Sequence, residues 1–221
     1  MRGVYTIVDL DTLERAQVDP LELAKAVLDG GAAALQLRAK HAPMRVLEGL
    51  AGRLAELSAA RSVPFFVNDR ADLALVAGAT GVHVGQDDLS VRNVRALADR
   101  AGATLAIGLS THDESQLEAA LEQPIDYLAI GPVSPTRSKE RHDPVLGVER
   151  ARALAAQAKA RRPALPVVAI GGIDLSVARA LAGHVELVAV IGAVMPEPGA
   201  PVSSAAERVR RLTVALSGVF A

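Results

Sequence analysis

The chain has no cysteine and no tryptophan, and only two tyrosines and three phenylalanines among 221 residues. Without cysteine there is no disulfide, no thiolate nucleophile and no cysteine-bound zinc or iron–sulfur centre. Scarce aromatics leave no stacking platform for single-stranded nucleic acid. Charge is nearly balanced, with 24 Lys and Arg against 25 Asp and Glu. Neither nucleic acid nor a membrane surface is therefore expected as a partner. No apolar run approaches the ~20 residues of a membrane span, and the opening MRGVYTIVDLD meets aspartate too early for a signal peptide. These absences fit a cytoplasmic protein that handles small molecules. Any anion site must be built locally.

What is present is a repeating pattern in a chain that is 50% hydrophobic. Short, β-branched apolar runs stand at 4–8, 34–37, 64–67, 81–84, 104–108, 127–131, 166–170 and 187–191. They read as strands buried on both faces. Between them, alanine- and leucine-rich segments with helical spacing cover 20–29, 43–61, 70–77, 90–101, 113–122, 147–161, 174–182 and 204–216. Asp19-Pro20, Ser90, Asp113 and Asp174 supply helix starts. Eight strands alternating with eight helices predict a (β/α)8 TIM barrel. A doubly wound open sheet is the alternative, because alternation alone does not close a barrel. No linker divides the chain, so residues 1–221 read as one domain.

Barrel enzymes carry their chemistry at the C-terminal strand ends. There the second strand offers Gln36, Arg38 and Lys40, whose spacing of two puts them on one side of an extended chain. The third offers Asn68 and Asp69, the fourth Gln86, Asp87 and Asp88, and the fifth Ser110 and His112. Unpaired cations at an interior position are costly. One reading pairs them with Asp69 or Asp88 in a salt-bridge network; the other turns Arg38, Lys40 and Lys139 toward a multiply anionic substrate. Asp69 and Asp88, at adjacent strand ends, repel unless a cation lies between them. Hard oxygen ligands of this number suit Mg2+. At the last two strand ends, Gly171-Gly172-Ile173 and Gly192 are either plain turn residues or, as their position favours, a backbone anion site of the kind barrels use for phosphate. The segment IGPVSPTRSKERHD, 130–143, turns a buried strand into a proline-broken, cationic loop in which Lys139 is the residue aimed at phosphate. Two anion pockets suggest the joining of two phosphorylated molecules, with diphosphate as the leaving group.

The stretches LQLRAK (35–40), VNDR (67–70), GVHVGQDDL (81–89), IGLSTH (107–112), YLAIGPVSPTRSK (127–139), VVAIGGI (167–173) and VAVIGAV (188–194) together resemble the thiamine-phosphate synthase family. The resemblance implies a transferase that condenses hydroxymethylpyrimidine diphosphate with a thiazole phosphate alcohol, releasing diphosphate through a pyrimidinylmethyl cation. It implies Mg2+ on Asp69 and Asp88. Gln36, Arg38, Lys40, Asn68 and Lys139 would contact the pyrimidine diphosphate, with Ser110 near the leaving group. Thr136, Ser138 and the backbone of Gly172, Ile191 and Gly192 would hold the thiazole phosphate. The catalytic set that the resemblance implies is then Arg38, Lys40, Lys139 and Ser110.

Three positions depart from the family pattern: Gly192 stands where a serine is usual, Ser134 where a phenylalanine is usual, and Ala39 where an acidic residue is usual. A thiazole tautomerase-like relative, with His112 as acid–base, and a non-catalytic binding or regulatory protein for thiamine precursors remain alternatives. Another phosphate-handling barrel isomerase would account for the glycines but not for Asp69 and Asp88. A homo-oligomer is compatible with a barrel of this size.

Overall fold

A computed structural model describes residues 1–136 and 144–218. Eight parallel strands, β1 (Gly3–Asp9), β2 (Ala34–Arg38), β3 (Phe65–Asn68), β4 (Gly81–Val84), β5 (Ala106–Thr111), β6 (Tyr127–Ile130), β7 (Val167–Ile170) and β8 (Leu187–Val190), close into a barrel in sequence order. Closure comes from pairing of β1 with β8, Tyr5 opposite Ala189. The open-sheet alternative is thereby excluded. Around the barrel run α1 (Leu10–Ala16), α2 (Pro20–Asp29), α3 (Met44–Ala59), α4 (Ala71–Val76), α5 (Val91–Arg100), α6 (Glu114–Leu121), α7 (Val148–Arg161), α8 (Leu175–Ala180) and α9 (Ser204–Ser217). Among the described residues no helix is long and apolar enough to cross a membrane.

The helix starts follow from side-chain capping. Asp19, Ser90, Asp113 and Asp174 each accept hydrogen bonds from backbone N–H groups of the first turn, which satisfies donors that have no partner inside a helix. Two differences from the sequence reading are informative. Helix α1 lacks an apolar periodicity; it forms because Asp9 caps it through the Thr12 N–H and hydroxyl. Strand β5 begins two residues later than the apolar run and continues through Ser110 and Thr111, because an interior-facing strand end can be polar where it lines a mouth.

The apolar residues fall into two shells. An outer shell joins strand backs to helices, and an inner cluster of Tyr5, Phe66, Tyr127, Val168, Leu187 and their small neighbours fills the barrel. Tyr5, Phe66 and Tyr127 meet at centroid distances of 5.3–6.0 Å, two of the three pairs edge-on. The rings need space: a Cβ on Gly108 would lie 2.0 Å from Tyr127 Cζ. This plug closes the barrel below the C-terminal mouth.

Candidate active site

At the mouth, β1 and β2 end side by side, with Asp9 opposite Arg38. Asp9 is 1% exposed and pairs with the Arg38 guanidinium, while its other oxygen caps α1. Arg38 is thus held by a buried carboxylate that the sequence reading did not single out. Its signal was available: Asp9 ends the first strand two residues beyond Ile7, at interior parity.

After β3 the chain turns sharply. The Arg70 N–H donates to the Asn68 carbonyl at 2.7 Å, around Asp69 at φ +62°. This is a γ-turn with a left-handed centre, a conformation that an L side chain adopts only at a cost. The Asp69 N–H donates to the His83 carbonyl at 2.7 Å, fixing the turn against β4. Asp69 accepts from Lys40 Nζ at 2.5 Å. Burial pushes its carboxyl above the ordinary value; Lys40 opposes this, and the nearby Asp88 carboxylate adds to it. Asp88 in turn accepts from the Gly85 N–H at 2.7 Å. Asp69, Asp88 and Lys40 therefore converge. Arg38 and Lys40 face three carboxylates, Asp9, Asp69 and Asp88, so this side of the mouth is not a ready anion pocket. Of the two readings, the structure shows ion pairs: Lys40 with Asp69 as the salt-bridge reading expects, and Arg38 with Asp9 in place of Asp69 or Asp88.

Among the described residues, Asp69 and Asp88 are the pair that could hold a divalent cation. Among the described residues no group of three or more His, Asp and Glu is close enough to hold a metal ion by itself. The Asp69–Asp88 pair alone has the donor chemistry and the mutual repulsion that a hard cation relieves, with remaining positions left to water and substrate oxygens.

Across the mouth, β7 ends in Gly171 at φ +90° and Gly172 at φ +64°. The loop leaving β6 lies directly on them. The Val133 N–H donates to the Ile170 carbonyl and the Ser134 N–H to the Gly171 carbonyl, each at 3.0 Å. A Cβ on Gly172 would meet the Ser134 and Pro135 carbonyl oxygens at 2.6 Å. Ser134 thus contributes backbone contacts that seat the loop. Ile191 and the single 3-10 turn Gly192–Val194 complete this wall, and Gly192 is exposed. The first turn of α8 is already filled by the Asp174 carboxylate. A phosphate here would rest on loop backbone rather than on that helix end. Thr136 is half-buried at the loop's described end. Ser138 and Lys139 lie outside the described residues.

A family model described as thiamine monophosphate synthase matches residues 4–194. The chain belongs to the thiamine monophosphate synthase family. A thiamine-phosphate synthase of Anaeromyxobacter dehalogenans is 42% identical over 203 residues, covering 90% of this chain and 84% of that one. One from Koribacter versatilis is 39% identical over 198 residues, covering 88% and 90%. The solved structure of a thiamine phosphate pyrophosphorylase from Pyrococcus furiosus superposes with a TM-score of 0.81 at 33% identity, covering 98% of this chain and 97% of that one. As a member of this synthase family the chain is an enzyme, a transferase.

Within this synthase fold, Gln36 and Ser110 sit lower than the mouth charges. Gln36 is 2% exposed and donates from Nε2 to the Tyr5 hydroxyl at 2.8 Å. Ser110 Oγ lies 2.8 Å from His83 Nε2, and the Ser110 carbonyl accepts from Gln86 Nε2 at 2.6 Å. His112, the acid–base of the tautomerase alternative, donates from Nδ1 to the Gly131 carbonyl at 2.6 Å. Tyr5, Tyr127 and His83 were not anticipated as site residues. The signal lay in the scarcity noted at the outset: both tyrosines of the chain fall on strands at interior parity.

Proposed function

We propose that the chain condenses hydroxymethylpyrimidine diphosphate with thiazole phosphate in a Mg2+-dependent reaction, forming thiamine phosphate and diphosphate. The observation carrying the site assignment is the convergence of Asp69, Asp88 and Lys40 at adjacent strand ends. Asp69 and Asp88 would hold Mg2+, which when bound neutralises charge on the diphosphate. Arg38, kept in place by Asp9, would present guanidinium N–H donors to diphosphate oxygens, and Lys40 would transfer its pairing from Asp69 to substrate. Asn68 and Gln36 orient the pyrimidine end, Ser110 lies beside the leaving group, and Lys139 adds charge from the loop.

Loss of diphosphate leaves a pyrimidinylmethyl cation, which the thiazole nitrogen attacks. No covalent nucleophile is needed. The protein's contribution is position and electrostatics. Thr136, Ser138 and the backbone at Gly172, Ile191 and Gly192 would seat the thiazole phosphate on the opposite wall, so that the two reactants face each other over the aromatic plug.

The test is a diphosphate-release assay with both substrates and Mg2+, each omitted in turn, alongside chromatographic detection of thiamine phosphate. Product should require all three. Product formation unaffected by EDTA would refute the metal assignment; binding of both substrates without product would favour a non-catalytic role.

A further inference from the structure

Inside the barrel, five side chains from five strands form a continuous line of hydrogen bonds. Gln36 Nε2 meets the Tyr5 hydroxyl at 2.8 Å, and Tyr5 meets the Tyr127 hydroxyl at 3.0 Å. Tyr127 meets His83 Nδ1 at 2.8 Å, and His83 Nε2 meets Ser110 Oγ at 2.8 Å. All five residues are no more than 6% exposed. We propose that this line has one direction, and that Tyr127 and His83 are positioning residues that turn the Ser110 hydroxyl hydrogen toward the departing diphosphate. The proposal rests on the synthase reading above.

The direction follows from counting hydrogens. The Gln36 amide nitrogen can only donate, so the Tyr5 oxygen accepts there. The single Tyr5 hydrogen then goes to the Tyr127 oxygen, and the Tyr127 hydrogen goes to His83 Nδ1. An imidazole whose Nδ1 accepts carries its hydrogen on Nε2, which donates to Ser110. The Ser110 oxygen is an acceptor in that bond, so its own hydrogen is available to an acceptor at the mouth. Burial holds both phenols in the protonated form that this count requires. The reverse line would need the Gln36 carbonyl oxygen facing Tyr5, with Ser110 donating inward to His83.

The packing holds the line in register. The His83 ring stacks on Tyr127 at a centroid distance of 5.5 Å and an interplanar angle of 23°. Gly108 opens the space that Tyr127 crosses. A hydroxyl pre-aimed in a water-poor interior stabilises developing negative charge without reorganising when the bond breaks. A freely rotating one would have to be oriented first.

Two measurements on the full chain test this. Long-range 1H–15N correlation spectra of the wild type, assigned through the backbone, should show His83 with hydrogen on Nε2 and a lone pair on Nδ1. Hydrogen on Nδ1 overturns the proposal. The second measurement is a cycle of Tyr127→Phe, Ser110→Ala and the double variant in the two-substrate assay. Tyr127→Phe should lower kcat on the order of ten-fold, with KM for the pyrimidine diphosphate within about two-fold. In the Ser110→Ala background the same change should cost less than about two-fold, because Tyr127 acts through that hydroxyl. Losses that multiply would assign Tyr127 a structural role instead and sink the proposal. If the wild type forms no product, the synthase reading fails, and the histidine spectrum still decides the direction.

Discussion

Asp69 holds a left-handed backbone, a half-buried carboxylate and a carboxylate neighbour at once. None of these helps folding. A positive φ costs an L residue about 1–2 kcal/mol, and burial disfavours the charge. We propose that such a position is kept for what the carboxylate does rather than for what it stabilises. Asp69→Asn keeps size, and asparagine tolerates the left-handed region well. It loses an ion pair whose lysine is 43% exposed, which contributes no more than about 1 kcal/mol. Stability by urea denaturation should stay within about 1 kcal/mol of the parent. Synthase turnover should fall by at least about 100-fold, or about 2.7 kcal/mol in the barrier. A collapse of stability with the activity would instead favour a purely structural salt-bridge network. Gly192 makes the opposite case. A Cβ there meets nothing within 4 Å, so Gly192→Ser restores the usual family side chain without displacing a neighbour. A hydroxyl reaching the thiazole phosphate should lower KM for that substrate by about ten-fold, since hydrogen bonds to charged groups contribute about 1.5–3 kcal/mol at best. An unchanged KM would place the phosphate elsewhere.

At the scale of elements, the loop after β6 and the glycine turn after β7 form one unit. Gly171 and Gly172 adopt conformations that only glycine takes cheaply, and the loop backbone occupies the space where their side chains would be. Gly172→Ala therefore displaces Ser134 and Pro135, and with them Thr136. KM for the thiazole phosphate should rise by about ten-fold or more, equivalent to about 1.4 kcal/mol, with KM for the pyrimidine diphosphate much less affected. Equal effects on both constants would show that the two walls are not separate. These elements also show what a sequence can reveal. Strand positions and most helix starts were legible, because apolar runs and Asp or Ser caps are local signals. The ends of strands carrying Arg38, Asp69 and Asp88 were legible for the same reason. Helix α1 was not, since its stability comes from Asp9, a residue that also pairs with Arg38 across two strands. The line through Tyr5, Tyr127 and His83 joins residues up to 122 apart in sequence, and only barrel closure brings them together. The end of β5 is not legible locally, because Ser110 and Thr111 carry the polarity of a loop while they pair as strand at the mouth.

For the whole molecule, charge is balanced globally, with 24 cationic against 25 acidic side chains, and the β1–β4 side of the mouth repeats that balance with a slight acidic excess. A diphosphate approaching Arg38 and Lys40 without a metal also meets Asp9, Asp69 and Asp88. Mg2+ approaching without diphosphate gains two carboxylates but competes with Lys40 for Asp69. On the proposed site assignment each ligand would remove the other's obstacle, so we propose that their binding is coupled, and linkage requires such a coupling to be reciprocal. Thermal unfolding should therefore shift little with Mg2+ alone or with the pyrimidine diphosphate in EDTA, and by clearly more than the sum with both present. A ligand that stabilises only the folded state adds RT ln(1 + [L]/Kd), about 2.7 kcal/mol at a hundred times Kd, so the excess is measurable. Calorimetry should give the same factor for metal on the affinity of diphosphate as for diphosphate on the affinity of metal, about ten-fold or more within the usual range of 1–3 kcal/mol. Lys40→Ala should let Mg2+ bind more tightly in the absence of substrate, because its competitor for Asp69 is gone, while weakening the diphosphate. Additive shifts, or tight diphosphate binding in EDTA, would mean that the cations act alone and that the paired carboxylates belong to the scaffold.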